Sequence, residues 1–339
     1  MKTIIVGGNF DNKFPKSSNI VNKITNHLSD TILFDNITLI NGGILDELPR
    51  ELNYDLSIWM PNIDNENIKH YPIKKKGSVL ICSKVMRDGY KDIDAVSRIF
   101  KMRGNAVIAI YTNTNPYSFR LIDALGNEWY SGSDIKELVN NILIFYNWTN
   151  QAIRINTISD NSIEKEEHPY LNELIQLNNK LSNYIQTSCG ERFFGNISTR
   201  CQKLFPSVSG NFGIYVSPRN SNKELLTADD MVYMTADYRY KGNFKPSVDS
   251  PCQIKIYNNH PEIHYMIHGH AFIKDAITTD EYYLCGDVRE ADEVSNLIND
   301  NGVINLKNHG FLIYAKTIND LSYIIDNLII NNQFTYNRK

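Results

Sequence analysis

At 339 residues the chain is too long for one ordinary small core and comfortable for two domains. Its charge is nearly balanced, 35 Lys and Arg against 38 Asp and Glu, so there is no electrostatic case for a nucleic-acid partner. The five cysteines, Cys82, Cys189, Cys201, Cys252 and Cys285, are scattered and lack Cys-x-x-Cys spacing, the pattern of reduced cytosolic thiols rather than of a disulfide framework.

The opening Met1-Lys-Thr-Ile-Ile-Val-Gly-Gly enters a short strand directly. With no signal-peptide pattern and no apolar run able to span a bilayer, the expectation is a cytoplasmic protein with no membrane partner. Residues 3–6 read as a buried strand running into Gly7-Gly8-Asn9, and a helix follows after the cap pair Ser17-Ser18, carried by Ile20, Ile24 and Leu28. Strand-like runs recur at 32–34, 56–60, 79–82 and 107–111. Helical patterns fall near 43–53, 91–103 and 133–147, and 119–125 with Trp129 reads as a last strand or hairpin turning at Gly126-Asn127. Strands alternating with helices predict a doubly wound, parallel α/β sheet of Rossmann or flavodoxin type over residues 1–150. Ligands of such sheets sit beyond the carboxyl ends of the strands, which nominates Gly7, Gly8, Asn9, Ser83 and residues 112–115 as a pocket rim. Gly-Gly without Gly-x-Gly-x-x-Gly also fits a plain tight turn, so the ligand of this half stays open. Lys74-Lys-Lys76, the densest basic run, reads as a solvated turn.

Residues 151–168 turn polar and lose periodicity, which reads as a linker, and 169–339 form the second domain. That domain opens with an amphipathic helix on Leu171, Leu174, Leu177 and Leu181. Its chemistry gathers toward His268-Gly-His270, at the end of a buried-strand run from Ile263 to Ile267. Side chains two apart on a strand share a face, so the pair can close on one ion. His309, inside the apolar strand-like run 303–314, offers a third imidazole, and Asp249 an anionic oxygen from an adjacent loop. Three imidazoles and a carboxylate suit an open divalent site, Zn2+ first and Fe2+ or Mn2+ after it. Two histidines at this spacing also suit an ordinary surface or interface strand, and spacing alone leaves both readings open.

Pro246-Ser-Val-Asp249, Tyr257, His260-Pro-Glu262, His268-Gly-His270 and Asn308-His-Gly310 resemble the class II aldolase/adducin family in order and spacing, over roughly residues 170–335. The resemblance implies an α/β/α domain whose metal is held by His268, His270 and His309. Phe194-Gly-Asn-Ile-Ser-Thr-Arg200 is similar to the family's Gly-Asn-x-Ser-x-Arg, which gives Asn196 a place at the substrate's phosphate end. Ser217-Pro-Arg-Asn220 stands where the family has a hydroxyl- and glycine-containing phosphate loop, and residues 225–232 match its Leu-Thr-x-x-Asp segment. Ser217, Arg219, Asn220 and Ser247 are therefore substrate candidates. Arg219, Asn220 and Val248 depart from the pattern, and a guanidinium can pair two-pronged with phosphate or carboxylate. Asp249 occupies the family's acid position, as aspartate rather than the aldolases' glutamate, and resembles the pentulose-phosphate 4-epimerases in this. Asp249 and Tyr283 are the acid–base candidates, with Tyr282, Asp287 and Glu290 in the same loop. The resemblance thus implies a metal-dependent lyase cleaving or forming a carbon–carbon bond in a sugar-phosphate-like or acidic hydroxycarbonyl substrate, through a metal-stabilised enediolate. A 4-epimerase and a non-catalytic adducin-like assembly protein are the alternatives. The family's cyclic tetramer implies a homo-oligomer.

Overall fold

The computed structural model describes residues 1–7, 15–30, 36–61, 63, 70–189, 192–201 and 212–336, and divides the chain into Met1–Gln151 and Ala152–Lys339.

In the first unit a seven-stranded sheet runs in the order Ile37–Ile40, Thr3–Val6, Leu56–Trp59, Val79–Met86, Ala106–Tyr111, Ser118–Asp123, Glu128–Gly132. The first five strands are parallel and the last two form an antiparallel hairpin at one edge. Alternate side chains of each strand enter opposite cores. Ile5, Ile58, Ile81 and Ile108 pack with the helices Pro15–Ser29 and Ile135–Gln151. Ile4, Trp59, Leu80 and Val107 pack with Asp92–Met102 on the other face. Helices on both faces of a mostly parallel sheet make the unit doubly wound α/β.

Several expectations need correction here. Residues 43–53 are not a helix: Pro49, which has no N–H and clashes with the preceding turn, leaves a 3-10 turn at Leu45–Glu47 and a short strand at Glu51–Leu52. Ser83 lies within the strand Val79–Met86, 1% exposed, and not beyond its end. Gly7 continues the sheet, its N–H donating to the Ile40 carbonyl at 3.0 Å. Gly8 and Asn9, the 32–34 run and the side chains of Ser17 and Ser18 lie outside what is described.

The second unit holds a nine-stranded sheet: Ile158–Ser159, Arg239–Lys241, Val232–Thr235, Gly213–Val216, Asn196–Cys201, Tyr265–Gly269, Gly310–Ala315, Gly302–Leu306, Ile277–Thr278. Its interior pairs are antiparallel and each outermost pair is parallel. The helices Leu171–Ser182 and Ile318–Ile330 cover one face, Ser250–Asn259 and Arg289–Leu297 the other, giving an α/β/α sandwich. Residues 152–168 belong to this unit. Ile158–Ser159 adds the edge strand and Ile163 enters the core, while the exposure of an edge segment accounts for the polar composition that reads as a linker. No helix among the described residues is long and apolar enough to cross a membrane.

Candidate metal centre

The middle of the second sheet fixes the histidines. Tyr265–Gly269 lies between Asn196–Cys201 and Gly310–Ala315, with Asn196 opposite His268 and Phe311 opposite Gly269. The strand predicted over 303–314 is a tight hairpin, and His309 sits in its turn, just after Asn308 at φ +56°. Two glycines permit the close approach this needs. A Cβ on Gly310 (φ +154°) would stand 2.0 Å from the Gly269 carbonyl oxygen, and one on Gly195 (φ +73°) 2.4 Å from that of His268.

His268, His270 and His309 thereby offer ring nitrogens that all lie within 4.8 Å of one another. Each of the two buried imidazoles is committed through Nδ1. His268 Nδ1 lies 2.9 Å from the Phe311 carbonyl, which can only accept, so Nδ1 carries the proton and Nε2 the lone pair. His309 Nδ1 lies 2.9 Å from the Glu290 carboxylate, and its Nε2 faces the Cys285 thiol at 3.3 Å. His270 is less buried and stacks on Phe194, centroids 4.8 Å apart. Burial, and then the charge of His309, pushes His268 down to about 4, so it is neutral in neutral solution. Burial opposes a charge on His309, but Cys285 and Glu290 outweigh it and push its pKa well up, while burial raises the Glu290 carboxyl.

Asp249 faces this cluster from the start of the helix Ser250–Asn259. Its Oδ2 accepts from Asn196 Nδ2 at 3.0 Å and from Ser247 Oγ at 3.5 Å, and Gln253 Nε2 donates to Asn196 Oδ1 from behind. Asp249 Oδ1, Gln253 Oε1 and His268 Nε2 are buried here without a hydrogen-bond partner. Orphaned lone pairs in a group of imidazoles and a carboxylate suit a divalent cation, so the residues present fit the metal that the resemblance implies.

The other expected residues are placed less directly. The Ser217 hydroxyl accepts from the Ile197 N–H at 3.2 Å and is fully buried. Arg219 is exposed and donates to the Pro246 carbonyl at 3.4 Å. Asn220, at φ +55°, accepts from the Phe193 N–H at 3.0 Å. Tyr283 packs against Arg289 and hydrogen-bonds Glu293, and it lines neither recess beside His268. Asp287 forms a 2.5 Å ion pair with Arg289 and receives the Ile153 N–H, the contacts of an anchor. Glu290, a loop candidate for proton transfer, instead holds His309 from behind.

Two residues were not singled out from the sequence. Cys285 was noted only as a scattered thiol. Lys223, 3% exposed, lines the recess that also includes Asn196, His268 and His270, and burial pushes its ammonium down to about 8 against the pull of Asp249. Its Nζ donates to the Ser221 carbonyl at 2.8 Å and to Ser221 Oγ at 2.9 Å, and among the described residues no carboxylate forms an ion pair with it.

Residues 172–272 match the Class II Aldolase and Adducin N-terminal domain, so the second unit carries a class II aldolase/adducin-type domain. Solved structures similar to the chain include YgbL from Escherichia coli, at 19% identity over 47% of this chain and 84% of that one, with a TM-score of 0.37. An L-fuculose 1-phosphate aldolase matches at 18% identity over 49% and 88%, TM-score 0.36. A sugar-phosphate aldolase from Thermotoga maritima matches at 13% over 50% and 100%, TM-score 0.36. No curated protein matches the sequence.

Proposed function

We propose that the second unit is a divalent-metal-dependent enzyme of class II aldolase type, making or breaking a carbon–carbon bond in an acidic, sugar-phosphate-like hydroxycarbonyl substrate. The observation that carries this reading is the convergence of His268, His270 and His309 around an unpartnered, buried His268 Nε2. These residues would hold the ion, Zn2+ in the first instance, with Fe2+ or Mn2+ as alternatives. When bound, it supplies Lewis acidity that stabilises negative charge on a substrate oxygen beside the reacting bond. Asp249 takes up and returns a proton at Oδ1, while Asn196 and Ser247 fix its other oxygen. The Lys223 ammonium, which has no carboxylate ion-pair partner among the described residues, favours a substrate with an anionic end, and Ser247, Arg219 and Asn220 would add to the hold on that end. In a homo-oligomer Tyr283 would serve the site of a second copy of the chain as its acid–base group.

The aspartate at 249 also supports a second reading, a sugar-phosphate 4-epimerase that cleaves and re-forms the same bond. The test is incubation of metal-loaded protein with hydroxyketone phosphates, pentulose phosphates included. Release of an aldehyde supports the lyase, and inversion with an intact carbon skeleton the epimerase. Metal-loaded protein that turns over none of them would overturn the enzyme and leave a binding protein.

A further inference from the structure

His309 has two neighbours able to join it on one ion: Asp249, Cys285 and His309 present donor atoms all within 4.8 Å of one another. The sulfur is the nearer fit. An imidazole at about 2.0 Å and a thiolate at about 2.3 Å from a tetrahedral ion stand about 3.5 Å apart. Cys285 Sγ and His309 Nε2 are already 3.3 Å apart.

One short segment arranges this. Gly286, at φ +78°, seats the turn so closely on the Val248 carbonyl that a Cβ there would come within 2.8 Å. The Asp287 N–H closes the turn on the Leu284 carbonyl at 2.9 Å, and the Asp287–Arg289 pair anchors it. Cys285 thus reaches the Nε2 side of His309 while Glu290, five residues on, holds the Nδ1 side. The same imidazole also belongs to the three-histidine group, in which His268, 5% exposed, leaves its Nε2 without a partner. Cys252, the other thiol near the site, is committed elsewhere, donating to the Asp287 carbonyl at 3.4 Å.

We infer that Cys285 is a metal ligand, binding as a thiolate beside His309 and filling the coordination position that a class II aldolase-type centre leaves for its carboxylate or substrate. The inference rests on the metal-centre reading of the proposed function. Coordination replaces the S–H bond by a sulfur–metal bond and releases one proton to solvent. Asp249 Oδ1 would stay free as a base, and a sulfur held there would have to give way for a substrate oxygen to reach the ion. A soft sulfur donor also shifts the preference toward zinc, cobalt and cadmium and away from manganese and magnesium.

The test is Co2+ titration of the full-length protein, its Cys285→Ser variant and its His268→Ala variant, read by absorption. The inference predicts visible d–d bands together with a near-ultraviolet thiolate-to-cobalt charge-transfer band. Cys285→Ser loses the charge-transfer band and keeps the d–d bands, with weaker binding, and His268→Ala loses both. Visible bands without the charge-transfer band in the parent, or an unchanged spectrum in Cys285→Ser, would overturn the ligand and leave the histidine centre standing. Absence of both bands in the parent would overturn the centre and this ligand together.

Discussion

Glu290→Gln isolates the part of the centre that no metal touches. Glu290 is 5% exposed, and its Oε1 lies 2.9 Å from His309 Nδ1, so the interaction is not screened by solvent. The amide keeps the shape and an oxygen able to accept from Nδ1, and it removes only the charge that makes His309 a stronger donor through Nε2. Loss of such a carboxylate–histidine partner weakens metal binding by about 10- to 100-fold, or about 1.4–2.7 kcal/mol. The apo protein should lose little, because an uncharged His309 can still donate from Nδ1 to the amide oxygen, and what goes is the charge-assisted part of one hydrogen bond, about 1 kcal/mol. Thermal unfolding therefore splits the effect. Apo Tm falls only slightly, whereas the stabilisation added by saturating Zn2+ shrinks by about 1.4–2.7 kcal/mol. A chelator-competition titration gives the affinity directly. An unchanged Zn2+ affinity in a folded Glu290→Gln protein would refute the role given to Glu290.

Three further predictions use other parts of the site. Gly310→Ala places a Cβ 2.0 Å from the Gly269 carbonyl, so the hairpin must move and carry His309 with it; equilibrium dialysis should show metal binding lost, with stability lower by about 1–3 kcal/mol. Lys223→Met removes a buried ammonium that has no carboxylate partner among the described residues; inorganic phosphate should lose its protection against unfolding, while the apo protein is as stable as the parent or about 1 kcal/mol more so. Metal affinity should rise with pH until the raised pKa of His309 is passed, because below it the apo imidazole keeps a proton that the ion must displace, whereas His268, pushed down to about 4, adds no such competition near neutral pH. The gain is about tenfold per pH unit for each displaced proton, and a flat profile of affinity against pH would contradict it.

The histidine positions were legible because their spacing is local. His268-Gly-His270 on a strand and Asn308-His-Gly310 in a turn carry their geometry in a few consecutive residues. Glu290, Cys285 and Lys223 reach the site from a helix, a turn and a loop far away in sequence, and nothing periodic marks them. Glu290 in particular looks like an exposed acidic position of a polar helix, and only the packing of Arg289–Leu297 against the sheet buries it on His309. Arg219, whose chemistry suggests an anion clamp, donates through Nε to a backbone carbonyl, while Lys223, with no such signal in the sequence, is a cation that lines the recess. In the first unit the helices near 91–103 and 133–147 were readable from apolar spacing. At 43–53 a similar spacing of Ile44, Leu48 and Leu52 misled, because Pro49 forbids the helix that it imitates.

The most direct measurement is the metal content of protein purified without chelator, beside His268→Ala and His309→Ala. The account predicts about one divalent ion per chain in the parent, as set by the cluster of His268, His270 and His309, and loss of it in both variants. A parent that carries no metal, and after reconstitution binds Zn2+ no better than either variant, would contradict it.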